Sequence, residues 1–238
     1  MLKLHTIKLS EFNVMKEERL LPGRGSCLRK NDSKKLRISI SCQSPNKVMV
    51  INESLLITKK VKETIFTINP HEYYMIINID EASITLKYNH DVLGHEIIYD
   101  PYKYEHSELA DYDPNKFVKQ FSVETGYIDI LSKWYSIKFT YPEYNIIYIK
   151  PEMGISIQVH THRSEEWEIL CGEPIVINDN RVYYFVEEGT KFINRKMQYH
   201  SVINPNKNPE EFVVLKERWS GFFDEEDIKR IYNPNNYQ

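Results

Sequence analysis

Residues 154–172 contain the side chains best suited to chemistry in this sequence. Apolar and polar residues alternate at the start of the segment, which is typical of a β-strand whose two faces differ. Gln158, His160 and His162 stand two positions apart, so a strand places them on one face. Two imidazoles beside a carboxylate, such as that of Glu165, suit a divalent first-row metal. The segment therefore predicts one half of a metal site.

A distant histidine can complete this set. His200 is followed four positions later by Asn204, after a glycine-containing hairpin and an apolar pair. A His-x-His on an exposed strand is also common as plain polar surface, and the flanking glycines and the second motif favour the metal interpretation. Three histidines of the first half, His71, His90 and His95, have no comparable spacing, and this half contains no His-x-His, so we expect one site per chain.

Composition excludes several classes of protein. A net charge of −3 over 238 residues gives no strong attraction to nucleic acid. No apolar run reaches the roughly 18 residues of a membrane helix, and the N-terminus lacks the apolar core of a signal peptide. We therefore expect a cytoplasmic protein with no nucleic-acid or membrane partner. The cysteines, Cys27, Cys42 and Cys171, are predicted to be reduced, buried thiols.

Short strands separated by Asn, Asp and Pro turns predict an all-β protein. The residue pattern predicts a strand over 1–10 and irregular structure over 11–35. From Leu36 onward it predicts regular short strands. Residues 100–120 are charged, with prolines and few aliphatic residues, and are predicted to link two units. We place the units at 1–115 and 116–238.

The last segment has a different charge pattern. Acidic residues precede basic ones over 224–231, which suits the dipole of a helix at both ends. We therefore predict a short C-terminal helix there.

The two histidine motifs resemble those of the cupin superfamily, and most closely those of the type II mannose-6-phosphate isomerase domain. This domain also forms the C-terminal part of bifunctional isomerase–guanylyltransferases. The resemblance covers about residues 122–232 and implies a cupin jelly roll there. It is carried by these residues: Gln158-x-His160-x-His162-Arg163-x-Glu165-x-Trp167, His200-x3-Asn204-Pro205, and Glu225-x-Asp227-Ile228-x-Arg230. For residues 1–115, a degenerate cupin copy is one interpretation, and no guanylyltransferase signature is present there.

The resemblance implies a set of metal ligands. These are Gln158, His160, Glu165 and His200, with His162 as a fifth ligand or a supporting residue. Glu166 is an alternative carboxylate, because the short connection before it leaves its facing open. The resemblance implies a divalent metal, with zinc as the first choice and manganese, iron, cobalt and nickel as alternatives.

The resemblance also implies an activity. It indicates an aldose–ketose isomerase that interconverts mannose 6-phosphate and fructose 6-phosphate through an enediol. The residues expected to act on the substrate are cationic: Arg230, Lys150 and Arg163 as catalytic residues, and Lys191 and Arg195 as substrate-binding residues.

The sequence departs from the family in two places. Residues 194–197, Asn-Arg-Lys-Met, replace the family's Pro and Gly before the second-motif histidine, and the family's terminal Tyr-Gly-Arg is missing. Two alternatives therefore stay open: a cupin that acts on a nucleotide sugar, and a non-catalytic sugar-binding bicupin. The expected partner is a small sugar phosphate, and a homodimer is a further expectation because cupins associate through sheet edges.

Overall fold

The computed structural model describes residues 4–5, 13–58, 61–222 and 226–237. Regular structure in this part of the chain consists of 21 β-strands and one α-helix, so the all-β prediction is confirmed. The chain forms two units. The N-terminal unit comprises Met1–Asp100 and Asn180–Val182, and the C-terminal unit comprises Pro101–Asp179 and Tyr183–Gln238.

The N-terminal unit consists of two five-stranded sheets. Its strands are β1 (Leu4–His5), β2 (Lys16–Leu20), β3 (Leu28–Lys30), β4 (Leu36–Asn46), β5 (Val48–Ile51), β6 (Leu55–Ile57), β7 (Val61–Ile68), β8 (Tyr73–Asn78), β9 (Ile84–Tyr88) and β10 (Glu96–Tyr99). The sheet orders are β1-β7-β4-β9-β2 and β10-β3-β8-β5-β6. From β2 onward the chain switches repeatedly between the two sheets, as in a jelly roll. Buried apolar side chains from both sheets form the core.

Two strands lie where the sequence predicted irregular structure. Strand β2 carries four charged residues and no apolar alternation, but it pairs with β9 as an edge strand, with Lys87 and Glu17 in an ion pair. Strand β3 is only three residues long. Both strands form because a neighbouring strand pairs with them, β9 with β2 and β8 with β3, and their own residue pattern does not indicate a strand. Of the strand predicted over 1–10, only residues 4 and 5 lie in the described part, and they pair with β7.

The C-terminal unit repeats the two-sheet arrangement. Its strands are β11 (Asp129–Lys133), β12 (Ser136–Thr140), β13 (Asn145–Ile149), β14 (Ile157–Val159), β15 (Arg163–Cys171), β16 (Ile175–Asn178), β18 (Lys191–Asn194), β19 (His200–Ile203), β20 (Val213–Gly221) and β21 (Lys229–Tyr232). The short strand β17 (Arg181–Tyr183) lies where the chain passes between the two units. One sheet has the order β11-β12-β13-β20-β15-β18, and the other contains β16-β19-β14-β21. The predicted jelly roll is confirmed.

Helix α1 (Pro114–Phe121) belongs to the C-terminal unit. The Asp113 carboxylate accepts hydrogen bonds from the first N–H groups of the helix, and Pro114 needs none, so the start is well capped. Phe117 packs against Tyr112 and Phe212. These ring contacts tie the segment before the helix to this unit. The structural division therefore follows Asp100, earlier than the boundary between 115 and 116 expected from the sequence.

The predicted C-terminal helix is wrong. Residues 229–232 form strand β21, which pairs with β14; residues 224 and 225 of the predicted helix lie outside the described part. Tyr232 is buried, and Arg230 stands directly opposite Gln158. Pairing with β14 therefore outweighs the charge pattern that favoured a helix. In the described part of the chain, no helix has the length and apolar character that a membrane crossing requires.

The three cysteines are free thiols. Cys27 and Cys42 are half-buried, whereas Cys171 is exposed, so the prediction of burial is wrong for Cys171. The pairing of β15 with β20 shifts between Ile169 and Cys171, and this bulge turns the end of the strand outward.

Candidate metal centre

Strands of both sheets bring the predicted ligands together. In the β14–β19 pair, Gln158 stands directly opposite His200, so the two side chains share one face. His160 follows β14 immediately, and β15 presents Glu165 from the other sheet. The backbone thus joins residues about 40 positions apart, as the two sequence motifs require.

His160, Glu165 and His200 form a compact buried cluster. Glu165 Oε1 lies 2.9 Å from His160 Nε2, and Glu165 Oε2 lies 3.6 Å from His200 Nε2. One donor atom from each residue lies within 4.8 Å of the others, and each residue is at most 1% exposed. Glu166 is exposed on the opposite face of β15, so Glu165 is the carboxylate that can act as a ligand in this cluster.

The backbone fixes the orientation of both imidazoles. His160 Nδ1 contacts the carbonyl oxygen of Asp227, and His200 Nδ1 contacts that of Gln198 at 2.9 Å. A ring that donates through Nδ1 presents Nε2 to the cluster, which is the arrangement a histidine ligand needs. The donor set therefore fits a divalent metal.

Gln158 is the fourth member of the group. Its Nε2 lies 3.5 Å from Nε2 of both His160 and His200, and its Oε1 accepts a hydrogen bond from Ser156 Oγ at 2.7 Å. Turning the amide by half a revolution directs Oε1 to the cluster, and Ser156 Oγ then accepts from Nε2. Gln158 can thus supply an oxygen ligand without losing its contact to Ser156.

His162 lies outside the cluster. The strand β14 ends at Val159, and the Asp227 carboxylate accepts hydrogen bonds from the N–H groups of Thr161 and His162, each at 2.9 Å. This contact turns the chain, and the His162 side chain is exposed. Gly221 permits the close approach of β20, because a Cβ atom there would lie 2.6 Å from the His162 carbonyl oxygen. The alternation that predicted a shared face stops before His162.

Arg163 is buried against the cluster. Its Nε donates to Glu165 Oε1 at 2.9 Å, and its Nη2 lies 3.3 Å from His160 Nε2. Burial opposes the charge on Glu165, but the hydrogen bond from His160 and the charge of Arg163 hold the pKa of that carboxyl well below its usual range.

The two histidines differ in charge preference. Burial opposes protonation of His160, but its hydrogen bond to Glu165 outweighs burial and raises its pKa. Burial lowers the pKa of His200 to about 4, although Glu165 opposes this shift. His200 is therefore neutral at physiological pH, which is the form that binds a metal.

A second buried carboxylate, Glu217, was not predicted from the sequence. Its Oε1 accepts from Asn145 Nδ2 at 2.7 Å, and its Oε2 accepts from Trp167 Nε1 at 3.2 Å. Trp167 Nε1 also lies 3.2 Å from Glu165 Oε2, so the indole connects the two carboxylates. Burial, with the nearby charge of Glu165, raises the pKa of Glu217 to about 7. Trp167 itself is fully buried.

One cavity adjoins this cluster of polar groups. It is lined by Gln158, Arg163, Glu165, Glu217 and Arg230, together with Lys133 and Lys138 from the first two strands of the unit. Its volume of about 110 Å³ is smaller than the 430 Å³ of the cavity next to α1. Clustered titratable groups, rather than size, identify it as the candidate site.

Three of the cations predicted to act on substrate lie elsewhere. Lys150 lines the cavity next to α1, with its Nζ 4.6 Å from the centre of the Tyr104 ring. Lys191 pairs with Glu168 at 3.6 Å and has a largely exposed side chain, and Arg195 is exposed. Arg163 and Arg230 are the two predicted cations that line the site cavity.

Sequence reasoning missed the residues that become neighbours only through sheet pairing. Glu217 lies between Lys216 and Arg218, and three charged residues in a row indicate an exposed surface. Its inward position follows from alternation with the buried residues Val213 and Leu215. That period-two pattern was the signal available in the sequence.

The comparisons with known proteins agree with this geometry. Residues 133–233 match the family model described as mannose-6-phosphate isomerase C-terminal. The resemblance predicted from the sequence is confirmed. The matched segment contains Gln158, His160, Glu165, His200 and Glu217.

Curated relatives match the same half of the chain. Mannose-1-phosphate guanylyltransferase of Klebsiella pneumoniae is 35% identical over 92 residues, which are 38% of this chain and 19% of that protein. Alginate biosynthesis protein AlgA of Pseudomonas aeruginosa is 29% identical over 85 residues, 36% of this chain and 17% of that protein. The chain therefore spans about a fifth of the length of these relatives.

Solved structures with a similar arrangement include oxalate decarboxylases. A variant of the Bacillus subtilis enzyme OxdC has a TM-score of 0.34 and 11% identity, over 87% of this chain and 69% of that chain. The Lactobacillus farciminis enzyme has a TM-score of 0.35 and 11% identity, over 90% and 78%. Likeness at this level bears on neither ligand nor activity.

Proposed function

We propose that the C-terminal unit is a metal-dependent aldose–ketose isomerase, with mannose 6-phosphate and fructose 6-phosphate as its substrate pair. The observation that carries the proposal is the placement of a second carboxylate, Glu217, in the same cavity as Glu165 and Gln158. Isomerisation needs an electrophile at the carbonyl and a base at the adjacent carbon. The family match of residues 133–233 supports the choice of sugar.

The metal would be held by Gln158, His160, Glu165 and His200. A divalent cation there supplies Lewis acidity that polarises the sugar carbonyl. We propose zinc, and the same ligands also accept manganese, iron, cobalt or nickel. Arg163 donates to Glu165 Oε1 and, together with the hydrogen bond from His160, favours the ionised carboxylate that binds a cation.

Glu217 is proposed as the base. In the aldose, it takes the proton from C2, the C–H electron pair becomes the C1–C2 double bond of the enediol, and the carbonyl oxygen takes a proton from solvent. Return of the proton from Glu217 to C1, with release of the O2 proton to solvent as the O–H electron pair forms the C2 carbonyl, gives the ketose. Asn145 and Trp167 each donate to one oxygen of this carboxylate and so fix its direction.

A coupled assay for fructose 6-phosphate formation tests the proposal. The metal-loaded chain is expected to convert mannose 6-phosphate, and a chelator is expected to abolish conversion until metal is restored. Absence of turnover in a folded chain with stoichiometric metal would contradict the proposal. Binding of sugar phosphate without turnover would instead indicate a sugar-binding cupin.

Glu217→Gln keeps the shape of the side chain and removes the base. We expect kcat to fall by about 10²- to 10⁴-fold, with metal content unchanged. Glu166→Gln, at an exposed position of the same sheet, is the matched control and should retain full turnover. Equal turnover in the Glu217 and Glu166 variants would remove Glu217 from the mechanism.

A further inference from the structure

The C-terminal unit contains another cavity, next to helix α1, which we refer to as the α1 cavity. Its volume is about 430 Å³, which lies in the range of roughly 300–1,000 Å³ that is typical of small-molecule pockets. Residues from the segment 110–121, the β11–β12 turn, the end of β13 and the segment before β20 line it. The lining has no member in common with that of the metal-centre cavity.

Aromatic side chains form most of the apolar wall of the α1 cavity. Phe117 and Phe212 are buried, and their ring centres lie 5.5 Å apart in an edge-to-face arrangement. Tyr112 packs edge-on at 5.3 Å from Phe117, and Phe121 packs edge-on at 4.9 Å from Phe212. These mutual contacts fix the rings in place. A wall of this kind suits a flat ligand ring, which it can meet by offset stacking or by edge-to-face contact.

Trp134, in the turn between β11 and β12, provides the largest ring of the lining. Three other rings hold its indole: the centres of Tyr104, Tyr135 and Tyr237 lie 6.4, 5.5 and 5.4 Å from its centre. The indole is half-buried and contributes to the wall of the α1 cavity. A flat ligand ring therefore meets a positioned indole as well as the phenyl rings.

Lys150 supplies a cation to the same cavity. It follows β13 directly, and its Nζ lies 4.6 Å from the centre of the Tyr104 ring. The nearby carboxylate of Glu152 accepts a hydrogen bond from Lys103. An ammonium group has three N–H donors, and a ring face satisfies at most one of them. Burial lowers the pKa of Lys150, although Glu152 opposes this shift, so a ligand anion meets a partly desolvated cation with donors to offer.

The other charged residues of the lining are exposed. Asp113 caps α1 through Oδ1, and its Oδ2 lies 4.0 Å from Lys116 Nζ. Asp111 lies at an exposed position, where solvent and salt screen its charge. Among the charged residues that line the cavity, Lys150 is the half-buried one. The lining therefore favours a ligand with one anionic group, placed at Lys150.

We propose that the α1 cavity is a second ligand site of the C-terminal unit, which binds a small aromatic carboxylate. The flat ring lies among Phe117, Phe212 and Trp134, and the carboxylate accepts hydrogen bonds from Lys150. The proposed metal ligands and Glu217 are not part of this lining, so the proposal holds whether or not the unit is an isomerase.

Calorimetric titration of the full chain with 2-naphthoate tests the site, and we expect one molecule to bind per chain. Lys150→Met keeps the apolar stem of the side chain and removes the donors, so affinity should fall by about 10-fold or more. Lys119→Met, at an exposed position of α1 outside the lining, is the matched control and should bind like the wild type. Equal affinity in the two variants, or no binding by the folded wild type, would overturn the proposal.

Two analogues test the ring and the charge without changing the protein. 2-Naphthylmethanol keeps the ring system and lacks the charge, whereas decahydro-2-naphthoate keeps the charge and lacks the flat aromatic ring. Each should bind at least about 5-fold more weakly than 2-naphthoate. Equal affinity for the alcohol and the acid, or for the saturated and the aromatic acid, would overturn the assignment of an aromatic carboxylate. Turnover of mannose 6-phosphate does not enter these measurements, so their outcome is independent of the isomerase proposal.

Discussion

The two units share one architecture but fill their interiors differently. In the N-terminal unit the facing sheets are packed with Ile38, Ile40, Phe66 and Leu86, all fully buried. In the C-terminal unit the corresponding space between sheets contains Gln158, Glu165, Glu217 and the two imidazoles. The jelly-roll fold alone therefore does not provide a metal site. Polar residues at the inward positions of a few strands provide it.

Each unit has a buried histidine, and the surroundings of these histidines show the difference. His95 bonds through Nδ1 to the Tyr74 hydroxyl at 2.8 Å, and its Nε2 lies 3.8 Å from Asp32. His200 faces a second imidazole and a buried carboxylate. Among the described residues, the group of potential ligands is found in the C-terminal unit. His95 has a structural role, and His200 belongs to a donor set.

Replacing each histidine by alanine should separate these roles most strongly. His200→Ala removes a ligand, so we expect metal affinity to fall by more than about 100-fold and turnover to be lost. His95→Ala should leave metal content and turnover intact and lower the free energy of unfolding by about 1–3 kcal/mol, because Tyr74 loses its partner. Metal analysis and urea unfolding of both variants provide the measurements. Metal loss in His95→Ala would contradict the assignment of a purely structural role to His95.

Asp227 provides a finer test of the C-terminal unit. Asp227→Ala removes the side chain that turns the chain after His160 and should loosen the carbonyl that orients this ring. We expect metal affinity to fall by about 10- to 100-fold, as measured by competition with a chromogenic chelator. Asp129→Ala, at an exposed position of β11, is the control. Equal affinities in the two variants would show that Asp227 does not position His160.

The smallest expected effect is the acid sensitivity that His95 gives to the N-terminal unit. Burial lowers the pKa of His95, although Asp32 opposes this shift. The unfolded state, with a pKa of about 6.5, therefore takes up the proton first as pH falls. Stability from this group is present above that pH and is lost as pH falls towards the folded pKa. Urea unfolding above and below pH 6.5 measures this loss. The free energy of unfolding should decrease less on acidification for His95→Gln than for the wild type. An equal decrease would exclude His95 as the source.

The sequence was sufficient for the parts of the site that are set by local pattern. Gln158, His160, Glu165 and His200 could be selected because two motifs of fixed spacing contain them. His162 was misplaced because strand β14 ends at Val159, and the Asp227 carboxylate, from a distant part of the chain, binds the N–H groups of Thr161 and His162. A residue-by-residue alternation cannot reveal where a strand stops when a remote side chain stops it.

The remaining errors also come from long-range pairing. The segment 229–232 has the charge pattern of a helix end, but pairing with β14 makes it a strand. Strand β2 has no apolar alternation and exists because β9 offers an edge. Glu217, Lys133 and Lys138 look like surface charges in the sequence, and only the sheet order directs them to one cavity. Such residues are found by asking which charges occupy inward positions.

Proton exchange with solvent tests the central claim most directly. Mannose 6-phosphate is incubated with the metal-loaded chain in deuterium oxide, and the sugar is followed by NMR. Proton transfer through Glu217 at a metal centre predicts fructose 6-phosphate with deuterium at C1, deuterium at C2 of the recovered aldose, and loss of both signals in Glu217→Gln. Neither product nor exchange, in a folded chain with stoichiometric metal and bound sugar phosphate, would contradict the claim that the C-terminal unit is an isomerase.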